Sequence, residues 1–349
     1  MSWRWCFYIN LPIGAVTIAI ILFLFPQTTQ TIEAHTWRER IYRFDLLGTA
    51  LFVPGIVCLL LAMQWGGTRY AWSSGRIIAL FVLFGVLALA FVAVQFWNPE
   101  RATVHPKILS QRSVSGSTFF IFTLGAAFLT LSYYLPIWFQ AVKGVSAVKS
   151  GIMNLPMLLG LVISSMLAGA MVTKFGYYTP FMIACSIITS IGAGLTTLFE
   201  PDTNHSKWIG YQVILGFGIG LGLQQPAMAV QNVLPLKQVP TATAMVIFAQ
   251  TLGGAIFVAV AQAAFTNELT DSLAAEAPQI PAAQIIAIGA TEVRKAVPEG
   301  LVPAVLDAYN SGLTRAFLVA TVLSSVTIIG AVVVEWKRMR SDRAPAMAA

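Results

Sequence analysis

The stretch WIGYQVILGFGIGLGLQQPAMAVQNVLPL (Trp208–Leu236) decides the fold class. It runs between Lys207 and Lys237 without a charged residue, and it is long enough to cross a bilayer as a helix. A span that only had to dissolve in lipid would be leucine and valine throughout, whereas this one carries alternate glycines and several glutamines. The stretch therefore predicts a transmembrane helix that packs closely against neighbouring helices.

The composition of the whole chain agrees with this prediction. Of 349 residues, 57% are hydrophobic and 10% are charged, and the mean hydropathy is +0.76. Soluble domains carry about 25% charged residues, so this chain has too few to coat a globule in water. Its apolar runs do not alternate with polar residues as outer-membrane strands do. We therefore predict an all-α integral membrane protein whose main partner is the lipid bilayer.

Nine apolar runs have the length of membrane-spanning helices. The predicted helices are 9–25, 46–64, 77–97, 118–139, 151–172, 180–198, 208–230, 242–265 and 314–334. The first run ends without a small-residue cleavage site, so it is a span and not a signal peptide. The larger share of the 21 lysine and arginine residues falls on the side of the C-terminal tail. This side is therefore predicted to be cytoplasmic, and the net charge of +7 does not indicate nucleic-acid binding.

Six segments, taken in order, carry a family resemblance. They are SWRWCFYINLPIGA (Ser2–Ala15), FDLLGTALFVPG (Phe44–Gly55), QWGGTRYAWSSGRIIAL (Gln64–Leu80), YYLPIWFQAVKGVSAVKSGIMNLP (Tyr133–Pro156), GFGIGLGLQQPAMAVQ (Gly216–Gln231) and AQTLGGAIFVAVAQ (Ala249–Gln262). Together they resemble the fourteen-span drug:proton antiporters of the major facilitator superfamily, especially the fungal efflux pumps. The resemblance implies a major facilitator fold, efflux of drugs, toxins or secondary metabolites, exchange for protons, and a multi-pass location in the plasma membrane.

The resemblance also divides the chain. It implies the last span of an N-terminal bundle at 1–26, a cytoplasmic loop at 27–45, two inserted spans at 46–97, a second cytoplasmic loop at 98–117, a six-helix C-terminal bundle at 118–334 with an extracellular loop at 266–313, and a cytoplasmic tail at 335–349. Five spans that begin such families find no match, so the alternative is a truncated, transport-incompetent membrane fragment. LAGAMVTKFGYYTP (Leu167–Pro180) resembles a degenerate copy of the family's cytoplasmic loop motif.

The sequence gives no sign of enzyme chemistry. Asp and Glu are absent from the middle of every predicted span, and buried carboxylates are the usual proton relays, so protons enter as partners by the resemblance only. His35, His105 and His205 all fall in loops and far apart in the sequence. Nucleotide loops, Ser-His-Asp spacing and metal-ligand clusters are not found, so no cofactor or metal is predicted.

Amides and aromatics are the candidates for substrate binding. They are Gln224, Gln225, Gln231, Gln250, Tyr133, Tyr134 and Asn154. An amide in lipid costs free energy without a partner, which a neighbouring helix, a water-filled cavity or a substrate could supply. The tyrosines also fit an interfacial aromatic belt, which we favour, and Asn154 also fits a helix cap. A mostly apolar cavity with a few such groups suits small amphipathic organic molecules. Pro226 predicts a kink beside two of the glutamines.

The glycines predict close helix packing. They are Gly216, Gly218, Gly220, Gly222, Gly253 and Gly254. On a helix of 3.6 residues per turn, the first and third lie on one face and the second and fourth on the opposite face. Small residues at this spacing let neighbouring backbones approach, an interpretation that we favour over substrate contact. Asn204 begins an Asn-His-Ser sequon in a loop assigned to the outside and is a weak candidate for glycosylation.

Overall fold

The computed structural model describes residues 4–24, 45–99, 102–290 and 292–339. The regular elements within these ranges are all helices, as expected of a chain whose backbone must satisfy its own hydrogen bonds in lipid. Eight helical segments are long and apolar enough to cross a membrane. They correspond to the second to ninth predicted spans, and the first predicted span is a shorter apolar helix.

The chain separates into two compact units, of which the first comprises residues up to Phe44. Its described helices are α1 (Trp5–Tyr8) and α2 (Asn10–Leu24). Helix α2 is almost entirely apolar in sequence, which is the pattern of a membrane-spanning helix. The predicted end of this span at residue 25 and the predicted loop up to Phe44 lie outside the described residues.

The second unit begins with two packed helices, α3 (Leu46–Trp65) and α4 (Gly75–Trp97). The Asp45 carboxylate caps α3 by accepting the backbone N–H of Gly48 at 2.7 Å, which satisfies a donor that the first helical turn leaves free. The same carboxylate accepts hydrogen bonds from the Gln95 amide at 2.5 Å and from the Thr103 hydroxyl at 3.0 Å. The start of α3 is therefore tied to the end of α4 and to the chain that follows it.

The rest of the second unit forms a helical bundle. Its helices are α5 (Pro106–Leu109), α6 (Arg112–Ala141), α7 (Ala147–Met153), α8 (Leu155–Phe175), α9 (Thr179–Thr196), α10 (His205–Gly222), α11 (Gln225–Val233), α12 (Val239–Glu276), α13 (Ala282–Ile288), α14 (Val293–Ala296) and α15 (Val302–Val333). Helix α6 packs against α12 and α15, whereas α10 packs against α8 and α9. Contact between α9 and α15 joins the two groups. Helix α6 begins inside the loop predicted at 98–117.

The segment predicted as a loop at 266–313 is helical at both ends. Helix α12 continues to Glu276, and α15 begins at Val302. Leu269 and Leu273 are almost completely buried, and they lie one helical turn apart, so they extend the packing face of α12. This packing keeps the chain helical past the point at which charged residues end the apolar run.

Two predicted spans are each divided into two helices. The span at 151–172 consists of α7 and α8, which are separated at Asn154. The span at 208–230 consists of α10 and α11, which are separated at residues 223 and 224. The second break lies directly before Pro226, whose ring nitrogen has no hydrogen to donate to the preceding turn. The sequence predicts a kink at this proline, and the helix is interrupted at residues 223 and 224.

Candidate functional site

Helices α6 and α12 are joined by hydrogen bonds between aromatic and amide side chains. The Tyr134 hydroxyl donates to Oε1 of Gln262 at 3.0 Å, and Nε2 of Gln262 donates to the Thr266 hydroxyl at 3.1 Å. Tyr134 is 1% exposed, and the Phe265 ring lies 6.2 Å away from its ring. These bonds supply partners to groups that would be costly to leave unpaired, and they fix the orientation of the Gln262 amide.

A cleft of about 260 Å³ opens beside these hydrogen bonds, between α3, α6 and α12. Its polar walls are Gln64, Tyr133 and Gln262, and its apolar walls are Leu60, Ala255, Val258 and Ala259. Tyr133 is 52% exposed, and its ring meets the Tyr134 ring edge-on at 5.0 Å. The lining side chains are all uncharged. This cleft, with hydrogen-bonding groups set in an apolar wall, is the candidate binding site for an amphipathic molecule.

The predicted amides of α11 and α12 do not line this cleft. Gln224 is exposed at the break before α11, whereas Gln225 is 1% exposed and its Oε1 has no hydrogen-bond donor among the described residues. Gln231 and Gln250 are half-buried. Among the predicted binding residues, the structure therefore brings only the two tyrosines to the cleft, Tyr133 as a wall and its neighbour as a support.

Asn154 lies at the break between α7 and α8, on the side of α10. Its backbone N–H donates to the Ser150 carbonyl at 3.1 Å, so it ends α7. Nε2 of Gln212, which is completely buried in α10, donates to the carbonyl of Met153 at 3.1 Å. Oδ1 of Asn154 and Oε1 of Gln212 have no hydrogen-bond donor within the described part of the chain. The contact between α8 and α10 thus holds two buried amide oxygens able to accept a hydrogen bond.

The six predicted packing glycines lie where helices meet. Gly216 and Gly220 of α10 face α8, and a Cβ on either would overlap a backbone carbonyl oxygen there. Gly218 and Gly222 face α9 with equally little room. In α12, a Cβ on Gly253 would overlap the Phe122 carbonyl oxygen of α6, and a Cβ on Gly254 would overlap the Leu129 side chain. Helix α10 is therefore held between α8 and α9 at distances that only glycine permits.

Several polar residues of the cleft and of the surrounding bundle were not among the predicted candidates. Gln64 and Gln212 are two of them, and Asn310 of α15 is a third. Asn310 accepts from Nε1 of Trp138 at 2.7 Å and donates to the carbonyl of Phe199 at 2.9 Å, so this tryptophan lies inside the bundle. An amide within an apolar run is the signal that marks all three residues, although the sequence does not show which way each amide points.

A lysine holds the loop between α9 and α10. Nζ of Lys143 donates to the carbonyls of Pro201 and Thr203, each at 2.7 Å. Partial burial lowers the pKa of Lys143, while Asp202 raises it and Arg294 lowers it further. These two carbonyls give the partly buried ammonium group two hydrogen-bond acceptors. The contact fixes the loop that leads into α10.

Two weaker sequence signals coincide with structural roles. Oδ1 of Asn204 accepts the backbone N–H of Lys207 at 3.1 Å and so caps α10, while the residue itself remains exposed. The second signal is the loop motif at Leu167–Pro180. Within it, α8 is capped at its C-terminal end by Gly176, whose φ of +79° is a left-handed conformation that favours glycine. The Gly176 carbonyl accepts the N–H of Met339 at 2.8 Å. The loop motif thus anchors the chain that follows α15.

Comparison with known proteins gives the family. The sequence profile of the Major Facilitator Superfamily matches residues 1–258. The chain belongs to this superfamily. The match confirms the predicted fold class, an all-α membrane protein with the major facilitator fold, and it agrees with the resemblance found in the sequence.

Several fungal proteins of the superfamily are similar to the chain over nearly its whole length. The MFS-type transporter astH of Aspergillus oryzae is 51% identical over 96% of the chain and 60% of its own length. The efflux pump roqT of Penicillium rubens is 50% identical over 98% of the chain and 64% of its own length. The efflux pump aflT of Aspergillus parasiticus is 46% identical over 98% of the chain and 67% of its own length. The chain thus spans less than two thirds of the length of the first two relatives.

Proposed function

We propose that this member of the superfamily exports small amphipathic organic compounds such as drugs, toxins or secondary metabolites. The observation that carries the proposal is the cleft between α3, α6 and α12, where Gln64, Tyr133 and Gln262 interrupt an apolar wall. Binding sites for small organic molecules combine apolar surface with a few placed polar groups in this way. Two of the similar fungal proteins, roqT and aflT, are named efflux pumps, which supports the same function.

We propose alternating access driven by exchange for protons as the mechanism. Transporters of this type move one helical bundle against another around a central site. The support for protons is the family resemblance. The side chains that line the cleft include no carboxylate, so in this proposal they bind the substrate and a group elsewhere carries the proton.

The division of the chain follows from the same proposal. Helix α2 is the last span of an N-terminal bundle, α3 and α4 are two inserted spans, and the helices from α6 to α15 form the C-terminal bundle. The plasma membrane is the proposed location, because export from the cell requires it. The packing of α6 with α12 and α15, and of α10 with α8 and α9, supports one bundle in the second unit.

Export is tested by expressing the chain in a yeast host that lacks its own drug exporters. The measurement is the rate at which preloaded cells lose a neutral fluorescent compound, hydroxymethylanthracene. Tyr133→Ala removes an exposed ring from the cleft. We expect the export rate to fall by up to about tenfold, because the loss of one aromatic contact weakens binding by about that factor. Tyr177→Ala is the matched control, because Tyr177 is exposed outside the cleft. A protonophore should abolish export.

Three results would contradict the proposal, each in a different way. Equal export by Tyr133→Ala and by the unaltered chain would remove the cleft as the binding site. No export by the unaltered chain in a membrane where it is folded would favour the alternative, a membrane protein that transports nothing unaided. Export that persists with the protonophore would remove proton exchange and leave the site in place.

A further inference from the structure

The proposed inserted helix α3 supplies one wall of the cleft. Two contacts set the position of α3 along α12. The Phe52 ring lies 5.2 Å from the Phe248 ring, and at the other end Gly67 lies directly against the side chain of Asn267. Gln64 lies between these contacts in the sequence of α3 and reaches the cleft. Its place in the wall is therefore set by helix packing and not by a loose loop.

The polar groups of the cleft differ in what they can still bind. Gln262 uses Oε1 for Tyr134 and Nε2 for Thr266, so its amide is occupied within the protein. The side chains of Gln64 and Tyr133 make no hydrogen bond with any residue that the structure describes. Gln64 therefore offers a donor and an acceptor to a ligand, while Tyr133 offers a ring and a hydroxyl.

The charge and the size of the cleft limit the ligand. All of its lining side chains are uncharged, so the cleft offers no counter-charge to an ion. The ligand group that enters is therefore neutral. The volume of about 260 Å³ lies just below the range of drug-sized pockets, which begins at about 300 Å³. The cleft thus holds one small ring system.

We propose that Gln64 is a specificity-determining residue that selects neutral ring compounds carrying a hydroxyl or carbonyl group. The inserted helix α3 is then part of the binding wall, in addition to any role as a connection. This inference rests on the proposed function, since it names the class of compound that the exporter accepts. The Gln64 amide donates to a carbonyl or accepts from a hydroxyl, while the Tyr133 ring packs against the apolar part of the ligand.

Binding of three fluorescent probes to the purified full chain in lipid nanodiscs tests the inference. The probes are hydroxymethylanthracene, methylanthracene and anthracenecarboxylate, and fluorescence anisotropy measures each affinity. We expect the hydroxyl-bearing probe to bind about fivefold more tightly than the methyl probe, which is the effect of one neutral hydrogen bond. The charged probe should bind most weakly. Gln64→Met preserves the length of the side chain, and it should abolish the preference for the hydroxyl.

Gln238→Met provides the matched control. Gln238 is exposed at the start of α12, and its side chain makes no capping hydrogen bond, so this variant should keep the fivefold preference. An unchanged preference in Gln64→Met would overturn the inference and leave export through the cleft standing. Loss of the preference in both variants, or tightest binding of the charged probe, would also overturn it. Failure of export with the Gln64-dependent preference intact would instead overturn the proposed function.

Discussion

Gly216 of α10 lies directly against the carbonyl oxygen of Met157 in α8, and no room for a β-carbon remains between them. One turn further along α10, Gly220 approaches the Leu161 carbonyl in the same way. The two backbones therefore touch over a full helical turn. Transmembrane helices associate through such small-residue contacts because lipid provides no hydrophobic drive between them.

We expect Gly216→Ala to destabilise the bundle. The added methyl group must push the α8 backbone away, and overpacking of this kind costs about 1–3 kcal/mol. Gly210→Ala is the matched control in the same helix, because a Cβ at Gly210 meets nothing within 4 Å. Thermal unfolding in detergent, followed by size-exclusion chromatography, should separate the two variants. Equal stability of Gly216→Ala and the unaltered chain would contradict the contact.

Tyr134→Phe should weaken the contact between α6 and α12. It removes the donor to Oε1 of Gln262, and a hydrogen bond between membrane helices is worth about 0.6 kcal/mol on average and at most about 1.7 kcal/mol. A double-mutant cycle with Gln262→Met measures the coupling from the free energies of unfolding. Tyr133→Phe is the control and should leave stability unchanged. Fully additive effects of Tyr134→Phe and Gln262→Met would show that the bond contributes nothing.

The helices could be predicted from the sequence, because hydropathy, span length and loop charge are local properties. The cleft could not be predicted, because Gln64 and Gln262 are far apart in the chain and meet only when α3 packs on α12. The predicted span at 208–230 shows the same limit, because the sequence alone does not fix which of its residues share a helix face. Gly216 and Gln224 share a face only on a continuous helix, and the break before Pro226 interrupts that helix. Proline marks the break, but packing decides where the following residues point.

Acidic pH should weaken the attachment of α3 to the chain after α4. Burial raises the pKa of Asp45, but the hydrogen bonds from Gln95, Thr103 and Gly48 outweigh it and hold the pKa below its ordinary value. A lowered pKa in the folded state stabilises the fold above the ordinary aspartate value of about 3.9, and this stabilisation is lost as the pH falls through the folded value. The melting temperature of the protein should therefore decrease as the pH is lowered from neutral through the range in which the Asp45 carboxylate is protonated.

Asp45→Asn is the variant that isolates this effect. The amide does not titrate, so the variant should be less stable near neutral pH and should lose less stability on acidification. Asp307→Asn, at an exposed aspartate of α15, is the matched control. Parallel pH profiles for Asp45→Asn and the unaltered chain would rule out the Asp45 carboxylate as the source.

Pro226→Ala should straighten the span formed by α10 and α11. Alanine restores an N–H that can donate to the Gly222 carbonyl four residues earlier, which is the bond that proline lacks. Spin labels at Ile209 and Leu236, which are 39% and 73% exposed, report the change by double electron–electron resonance. We expect the distance between the labels to lengthen and its distribution to narrow.

The control for the straightening is Pro240→Ala. Pro240 occupies the first turn of α12, where the N–H would lack an acceptor in any case, so the distance should not change. Helix α11 also packs against α6, and this contact could hold the bend without the proline. An unchanged distance in Pro226→Ala would assign the break to that packing, and the proline would then accompany the kink without causing it.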